Sequence, residues 1–266
     1  MLHSFNFGKG KPILWLHGFL GNALNFKSLA KSIEGEHYLL DARNHGRSFH
    51  DWDMSYKAMA EDLFRFLDQY AIEKCSVIGH SMGGKTATWA ACKEPQRFES
   101  VCLLDIAPID FREALDTHYQ ELRSILNFMK HLDLNQPRPQ IEKYSYLHFD
   151  DPMHVALILS NLRAVAHNTY EWRVDIDNLE QGLETVADWP SVSEKFEGPC
   201  IALCGSNSTH TCKSPLLKDL ALKSFFTQHF PRVEVRAIEE TGHFLHIEKP
   251  REVSLQISNF LKAVTS

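Results

Sequence analysis

The sequence predicts an α/β fold: a mostly parallel sheet with helices on both faces and a helical cap insertion. Three observations predict it. Short apolar runs alternate with amphipathic helical segments from residue 13 to residue 104. The alternation stops over residues 107–197, where helical spacing dominates, and resumes at Pro199. The strand-like runs are near-continuously apolar, as strands buried on both faces must be.

Taken in order, Ile13 to Leu16 reads as the first buried strand, ended by His17-Gly18. Strand-like sequence already starts at Leu2. Lys27 to Ile33 reads as a helix, with Leu29, Ala30 and Ile33 at helical spacing. His37 to Leu40 is the next strand, closing at Asp41. Ser55 to Tyr70 is an amphipathic helix whose apolar stripe is Met59, Leu63, Phe66, Leu67 and Tyr70, with Ser55 placed to cap its start. Cys75 to Ile78 is a strand, Lys85 to Lys93 a helix stopped by Pro95, and Val101 to Leu104 a strand ending at Asp105.

Residues 107–197 show helix-like segments and no convincing strand. Glu113 to Lys130 and Asp151 to His167 carry apolar stripes, separated by Pro137 and Pro139. A structureless loop rarely exceeds about 15 residues, so this stretch reads as an inserted helical cap. Cys200 to Leu203 and Val233 to Ile238 are then strands, and Ser214 to Phe230 and Glu252 to Val264 helices. The domain reading is a core made of 1–106 and 198–266 with a cap of 107–197.

Composition excludes several classes. At 266 residues with 44% hydrophobic and 23% charged residues, the chain is neither disordered nor coiled-coil nor collagen-like. Its net charge of -6, with no basic run, lacks the electrostatic footprint of a nucleic-acid binder. No apolar run approaches the roughly 18 residues of a membrane span. The N-terminus shows no basic region followed by an apolar stretch, which predicts no signal or transit peptide and makes the cytoplasm the expected compartment. There are six cysteines and no CxxC pair. Cys75, Cys102, Cys200 and Cys204 fall in or beside apolar strands, as free thiols in a reducing compartment do. Cys200 and Cys204 share one face of a strand, which closes no tetrahedral metal site, so no metal is expected.

The chemistry concentrates in Gly79-His80-Ser81-Met82-Gly83. This is a G-x-S-x-G pattern between a strand and a helix, the context in which it carries a nucleophile. A serine on so tight a turn is strained, and glycines beside it avoid clashes. The turn also puts the hydroxyl at the positive end of the following helix. Fifteen histidines make composition uninformative about the base. Position selects His243, in the loop after the last strand, over His17, His45, His80 and His246. The loop after the 200–203 strand, Gly205 to Thr209, has no carboxylate. Asp105, at the end of the strand following the serine helix, is therefore the candidate acid, in the chain order Ser, Asp, His. The backbone N–H groups of Phe19 and Met82 are the candidate oxyanion donors.

These motifs resemble the α/β-hydrolase superfamily over almost the whole chain. His17-Gly18-Phe19-Leu20-Gly21, Asp41 to Ser48, Gly79 to Lys85 and Gly242-His243 occur in the family's order. More narrowly, the Asn44 to Ser48 loop, Lys85 after the double glycine, and Tyr170 to Val174 make the chain similar to small esterases of the abhydrolase-domain-eleven and YbfF type. The resemblance implies an acid at Asp105, no cofactor, and hydrolysis of short- to medium-chain acyl esters, in some members of acyl-CoA thioesters.

The expected activity is thus that of a serine carboxylesterase acting on a small-molecule ester. Phe19, Met82, Phe128, Met129, Trp172 and Phe244 are candidates to line its pocket. Two rivals stand beside it: a C–C lyase of the menaquinone-pathway type, whose acid usually follows the post-cap strand, and a hydrolase fold retained as a ligand receptor. A haloalkane dehalogenase would carry an aspartate where Ser81 stands. The sequence leaves oligomeric state open.

Overall fold

The computed structural model describes residues 1–112, 118–190, 192–214 and 222–265. The chain begins with β1 (Ser4–Gly8) and β2 (Pro12–Leu16). A single 3-10 turn at Ala23–Phe26 leads into α1 (Lys27–Ala30), followed by β3 (Glu36–Leu40), α2 (Tyr56–Gln69), β4 (Cys75–His80), α3 (Met82–Lys93) and β5 (Phe98–Leu104). Between β5 and the next sheet strand lie α4 (His118–His131), α5 (Arg138–His148), α6 (Pro152–Ser160), a hairpin of β6 (Leu162–Ala166) and β7 (Thr169–Trp172), and α7 (Ile176–Ala187). The chain closes with β8 (Cys200–Gly205), α8 (Leu222–Thr227), β9 (Val233–Ile238), α9 (Leu245–Glu248) and α10 (Pro250–Thr265).

The main sheet has seven strands in the order β1-β3-β2-β4-β5-β8-β9. All neighbours are parallel except β1, which pairs antiparallel with β3. β1 thus forms one edge of the sheet. Strand period divides the core into two layers. Leu14 and Leu16 face α2 and α3, packing with Leu63, Phe66, Ala87 and Ala91. Ile13 and Trp15 face the other way, packing with Leu29, Val253 and Ile257 on α1 and α10. From β2 the chain winds to β3 on one side, and β4 lies on the other. That reversal makes the C-terminal ends of β2 and β4 a topological switch point, where open α/β sheets bind ligands.

The segment between β5 and β8 differs from the sequence reading. The helix expected over Asp151 to His167 ends at Ser160, and a β-hairpin follows. The apolar spacing carries on past Ser160 to Leu162 and Val165, but Asn161 breaks the helix. Its buried amide donates to Leu20 O at 2.8 Å and Leu157 O at 2.9 Å. The hairpin turns at Asn168, which has φ 54°. Helices α5 and α7 also lie in this segment. Residues 113–117 of the helix expected over Glu113 to Lys130 and 215–221 of the one expected over Ser214 to Phe230 lie outside the described residues, and the latter helix ends at Thr227. Among the described residues no helix is long and apolar enough to cross a membrane.

Candidate active site

Ser81 sits where β4 meets α3, with φ 52° and ψ −121°. This is a costly backbone region for a side chain, of order 1–3 kcal/mol, and the surroundings impose it. A Cβ on Gly79 would lie 2.4 Å from Gly83 O, and one on Gly83 would lie 2.3 Å from Leu16 O. Only glycine lets α3 approach the sheet this closely, which is the physical content of the glycine pattern around Ser81. The helix begins at Met82, one residue after the serine.

Asp105 leaves β5 with φ 49° and is fully buried. Its carboxylate accepts four hydrogen bonds. Oδ1 takes the Gly205 N–H at 2.7 Å and the Thr211 hydroxyl at 2.5 Å. Oδ2 takes the Ser208 hydroxyl and His243 Nδ1 at 2.8 Å. Residues Gly205 to Thr211 after β8, which include no carboxylate, thus supply donors to a carboxylate on the neighbouring strand. The sequence reading passed over Ser208 and Thr211. The signal was the run of hydroxyl residues from Ser206 to Thr211.

His243 follows β9 and is partly buried. With Nδ1–H given to Asp105, its Nε2 is the nitrogen left to act elsewhere. His210 stacks on its ring at 3.6 Å and 19°. His80 lies at 4.6 Å on another side, and its Nε2–H donates to the His243 carbonyl at 2.9 Å. That donation ties the His243 backbone to the residue before Ser81. Burial, and the neighbouring His246 and His243, push His80 well below the ordinary imidazole range, so it is neutral with one N–H to give.

Two other rivals, His17 and His45, have both ring nitrogens engaged with backbone groups. His17 donates Nδ1–H to Gly18 O at 2.8 Å and accepts the Ala42 N–H on Nε2 at 3.0 Å. His45 donates to Arg43 O at 2.8 Å and accepts the Leu20 N–H at 3.2 Å. Leu20 has φ 59°, and the bonds of His45 and Asn161 hold its backbone in that conformation. The Asn44 to Ser48 loop thereby buttresses the 17–21 loop from below.

A cavity of about 500 Å³ opens over these residues, lined by Phe19, His80, Ser81, His210, His243 and Phe244 among others. Of the expected lining residues, Phe19 and Phe244 are there. Met82 is buried, with its side chain turned to the cluster holding Met59 and Met129. Phe128, Met129 and Trp172 do not line this cavity, which corrects the sequence expectation. Phe128 faces a second cavity with Tyr144 and His148. Met129 is packed with Phe19, Met59 and Met82 where the inserted segment meets the core, and Trp172 donates its indole N–H to Met129 O at 3.1 Å.

Asp105, His210 and His243 each bring a ligand-type atom within 4.8 Å of the others. The two rings are almost parallel, so their in-plane lone pairs run side by side instead of converging. The carboxylate is already fully engaged.

A sequence profile of the α/β hydrolase fold family matches residues 11–250. The chain belongs to the α/β-hydrolase family. This hydrolase is 32% identical to the sn-1-specific diacylglycerol lipase ABHD11 of Mus musculus, over 94% of this chain and 80% of that protein. It is 28% identical to Esterase YbfF of Escherichia coli strain K12, over 94% of this chain and 92% of that protein. It is also similar to the solved structure of a marine microorganism esterase, with a TM-score of 0.89 and 28% identity over 97% of this chain and 98% of that one. The hydrolase therefore has esterase- and lipase-type relatives along nearly its full length.

Proposed function

We propose that this hydrolase is a serine carboxylesterase acting on short- to medium-chain acyl esters. The observation that carries the reading is the 2.8 Å bond from His243 Nδ1 to Asp105, with His243 and Ser81 on the wall of one cavity. Ser81 Oγ attacks the ester carbonyl while His243 Nε2 takes its proton. The N–H groups of Phe19 and Met82 hold the oxyanion, Met82 from the first turn of α3, where N–H groups lack intrahelical acceptors. His243 returns the proton to the leaving alkoxide. Water, deprotonated by the same imidazole, then releases the acid from Ser81. Asp105 keeps His243 in the tautomer whose Nε2 accepts.

The inserted segment 107–197 serves as the cap over this cavity. Its residues Glu121, Leu122, Asp151, Met153, His154 and Leu157 form part of the wall. An acid on β5 rather than after β8 also favours the esterase over the lyase reading.

The test is a chain-length series of p-nitrophenyl esters on wild type and Ser81→Ala, with fluorophosphonate labelling alongside. The expected result is turnover of acetate and butyrate esters and labelling, both lost in Ser81→Ala. Ser81-independent turnover, or tight ligand binding without turnover, sinks the reading.

A further inference from the structure

Cys212 is exposed, while Cys75, Cys92, Cys102, Cys200 and Cys204 are buried. It lies in the loop after β8, and Cys204 is next to last in that strand. Turns fold the loop back on the strand. The Ser208 N–H donates to Gly205 O at 3.0 Å, the Lys213 N–H to Ser208 O at 2.7 Å and the Ser214 N–H to Thr211 O at 3.0 Å. The Gly205 N–H and the Thr211 hydroxyl then meet on one atom, Asp105 Oδ1, at 2.7 Å and 2.5 Å. That shared acceptor holds Gly205 beside Thr211, and Cys204 and Cys212 are their chain neighbours. The two thiols share a hydrogen bond.

The pair is chemically unequal. The reactive form of a cysteine is its thiolate. The bond from Cys204 favours a thiolate on Cys212 and holds it below the ordinary thiol range, against burial and the charge of Asp105. The same bond, with burial, keeps Cys204 protonated. Burial pushes Cys75 and Cys92 up to about 12 and raises Cys102 and Cys200 as well. Cys212 is thus the attacking sulfur, with Cys204 beside it to resolve what forms there. The chain between them supports the site. Ser208 and Thr211 donate to Asp105, and His210 lies on the His243 ring at 3.6 Å. A covalent bond draws two sulfurs closer than a hydrogen bond does. Cys204 is fixed in a strand paired on both sides, so the loop takes up the shift, and Thr211 and His210 stand next to Cys212.

We propose that Cys204 and Cys212 form a redox-active dithiol that hydrogen peroxide closes to a disulfide, and that closure displaces the donors of Asp105 and lowers esterase activity. The loss of activity presupposes the esterase reading above; the dithiol does not. The Cys212 thiolate attacks one peroxide oxygen, the O–O bond breaks and hydroxide leaves, so Cys212 becomes a sulfenic acid. The Cys204 sulfur then attacks the Cys212 sulfur. The S–S bond forms, the S–O bond breaks, and the departing oxygen takes the Cys204 proton and leaves as water. The earlier hydroxide and the proton that Cys212 had given up make a second water. Two thiols are oxidised and one peroxide is reduced.

The experiment treats the full chain with a small molar excess of hydrogen peroxide. It reads intact mass, peptide mass and turnover of p-nitrophenyl butyrate, before and after dithiothreitol. The expected result is an intact mass lower by two hydrogens and a cross-link between the peptides of Cys204 and Cys212. The kcat falls about 10-fold as the site's supports move, and dithiothreitol restores it. Cys212→Ser is expected to match untreated wild type in turnover and to resist peroxide. Cys204→Ala is expected to stop at the sulfenic acid on Cys212, trapped by dimedone, with no cross-link. Oxidation without the 204–212 cross-link overturns the proposal. So does a cross-linked chain with unchanged kcat, or a Cys212→Ser variant that peroxide inhibits as it does wild type. A wild type that turns over no ester before treatment overturns the esterase reading, and the loss of activity with it. The cross-link, read by mass, then decides the dithiol by itself.

Discussion

Asp105 and His243 are joined by a 2.8 Å hydrogen bond that spans 138 positions of sequence, and three further donors fix the carboxylate in place. Asp105→Asn puts an amide where four donors converge. Either its NH2 faces donors or the imidazole must take the other tautomer. The expected outcome is a loss of about 10³–10⁴ in kcat on p-nitrophenyl butyrate, with KM changed little. Turnover within tenfold of wild type would show that His243 is oriented by something else.

Thr211 donates its hydroxyl to Asp105 Oδ1 at 2.5 Å in a fully buried position. Thr211→Val keeps the shape and removes the donor. The expected cost is about 1–3 kcal/mol of folding stability, because a buried charged acceptor loses a partner. Urea unfolding of the variant checks it. A midpoint equal to wild type would mean that water or a neighbouring donor replaces the hydroxyl.

His45 predicts acid lability. It gives Nδ1–H to Arg43 O and takes the Leu20 N–H on Nε2, an arrangement that only the neutral ring can make. Burial, the largest cause, with nearby His17 adding to it, pushes its pKa down to about 3. An unfolded histidine titrates near 6.5, so between the two values the unfolded chain holds more protons. Stability is therefore whole above that window and is lost as pH falls through it, by at most about 1.4 kcal/mol per pH unit. His17, His80 and His246 shift in the same direction. His45→Gln should flatten the fall in unfolding free energy on the acid side. An unchanged slope would assign the lability to the other histidines.

Lys85 extends the same trend to the alkaline side. Its ammonium is buried beneath the end of α7, donating to Ala187 O at 3.0 Å and Asp188 O at 2.9 Å, with the Phe111 ring 4.7 Å away. Burial pushes it down to about 7 from 10.5, against the upward pull of Asp110 and Asp188. A neutral amine still has two N–H groups for the two carbonyls. Between these values the unfolded lysine binds more protons than the folded one. Stability thus rises with pH across the window, by at most about 1.4 kcal/mol per unit. Lys85→Met should remove that rise. Persistence of the slope in the variant would place the titrating group elsewhere.

The sequence by itself determined the alternation of strand and helix, the burial of Cys75, Cys102, Cys200 and Cys204, and the glycine-framed Ser81. These are local: period, turn chemistry and steric need act over a few residues. It also pointed to Asp105 and His243 from their positions at strand ends. Lys85 stood out in the sequence only as a family marker, and its contact with the end of α7 supplies a physical reason for it. What tertiary structure decided was which distant groups share one carboxylate, which ring lies on which, and where the inserted segment turns its faces. Asn161 ends α6 because Leu20 O lies across from it, not because of its neighbours in sequence. Ser208, Thr211 and His210 join the site because β8 lies beside β5. Phe128 lines a second cavity with Tyr144 and His148, and Trp172 is tied to Met129 O, because helix and hairpin packing oriented them so. Hydrogen bonds and packing between segments far apart in the chain are set by the assembled fold, and a one-dimensional pattern does not encode them residue by residue.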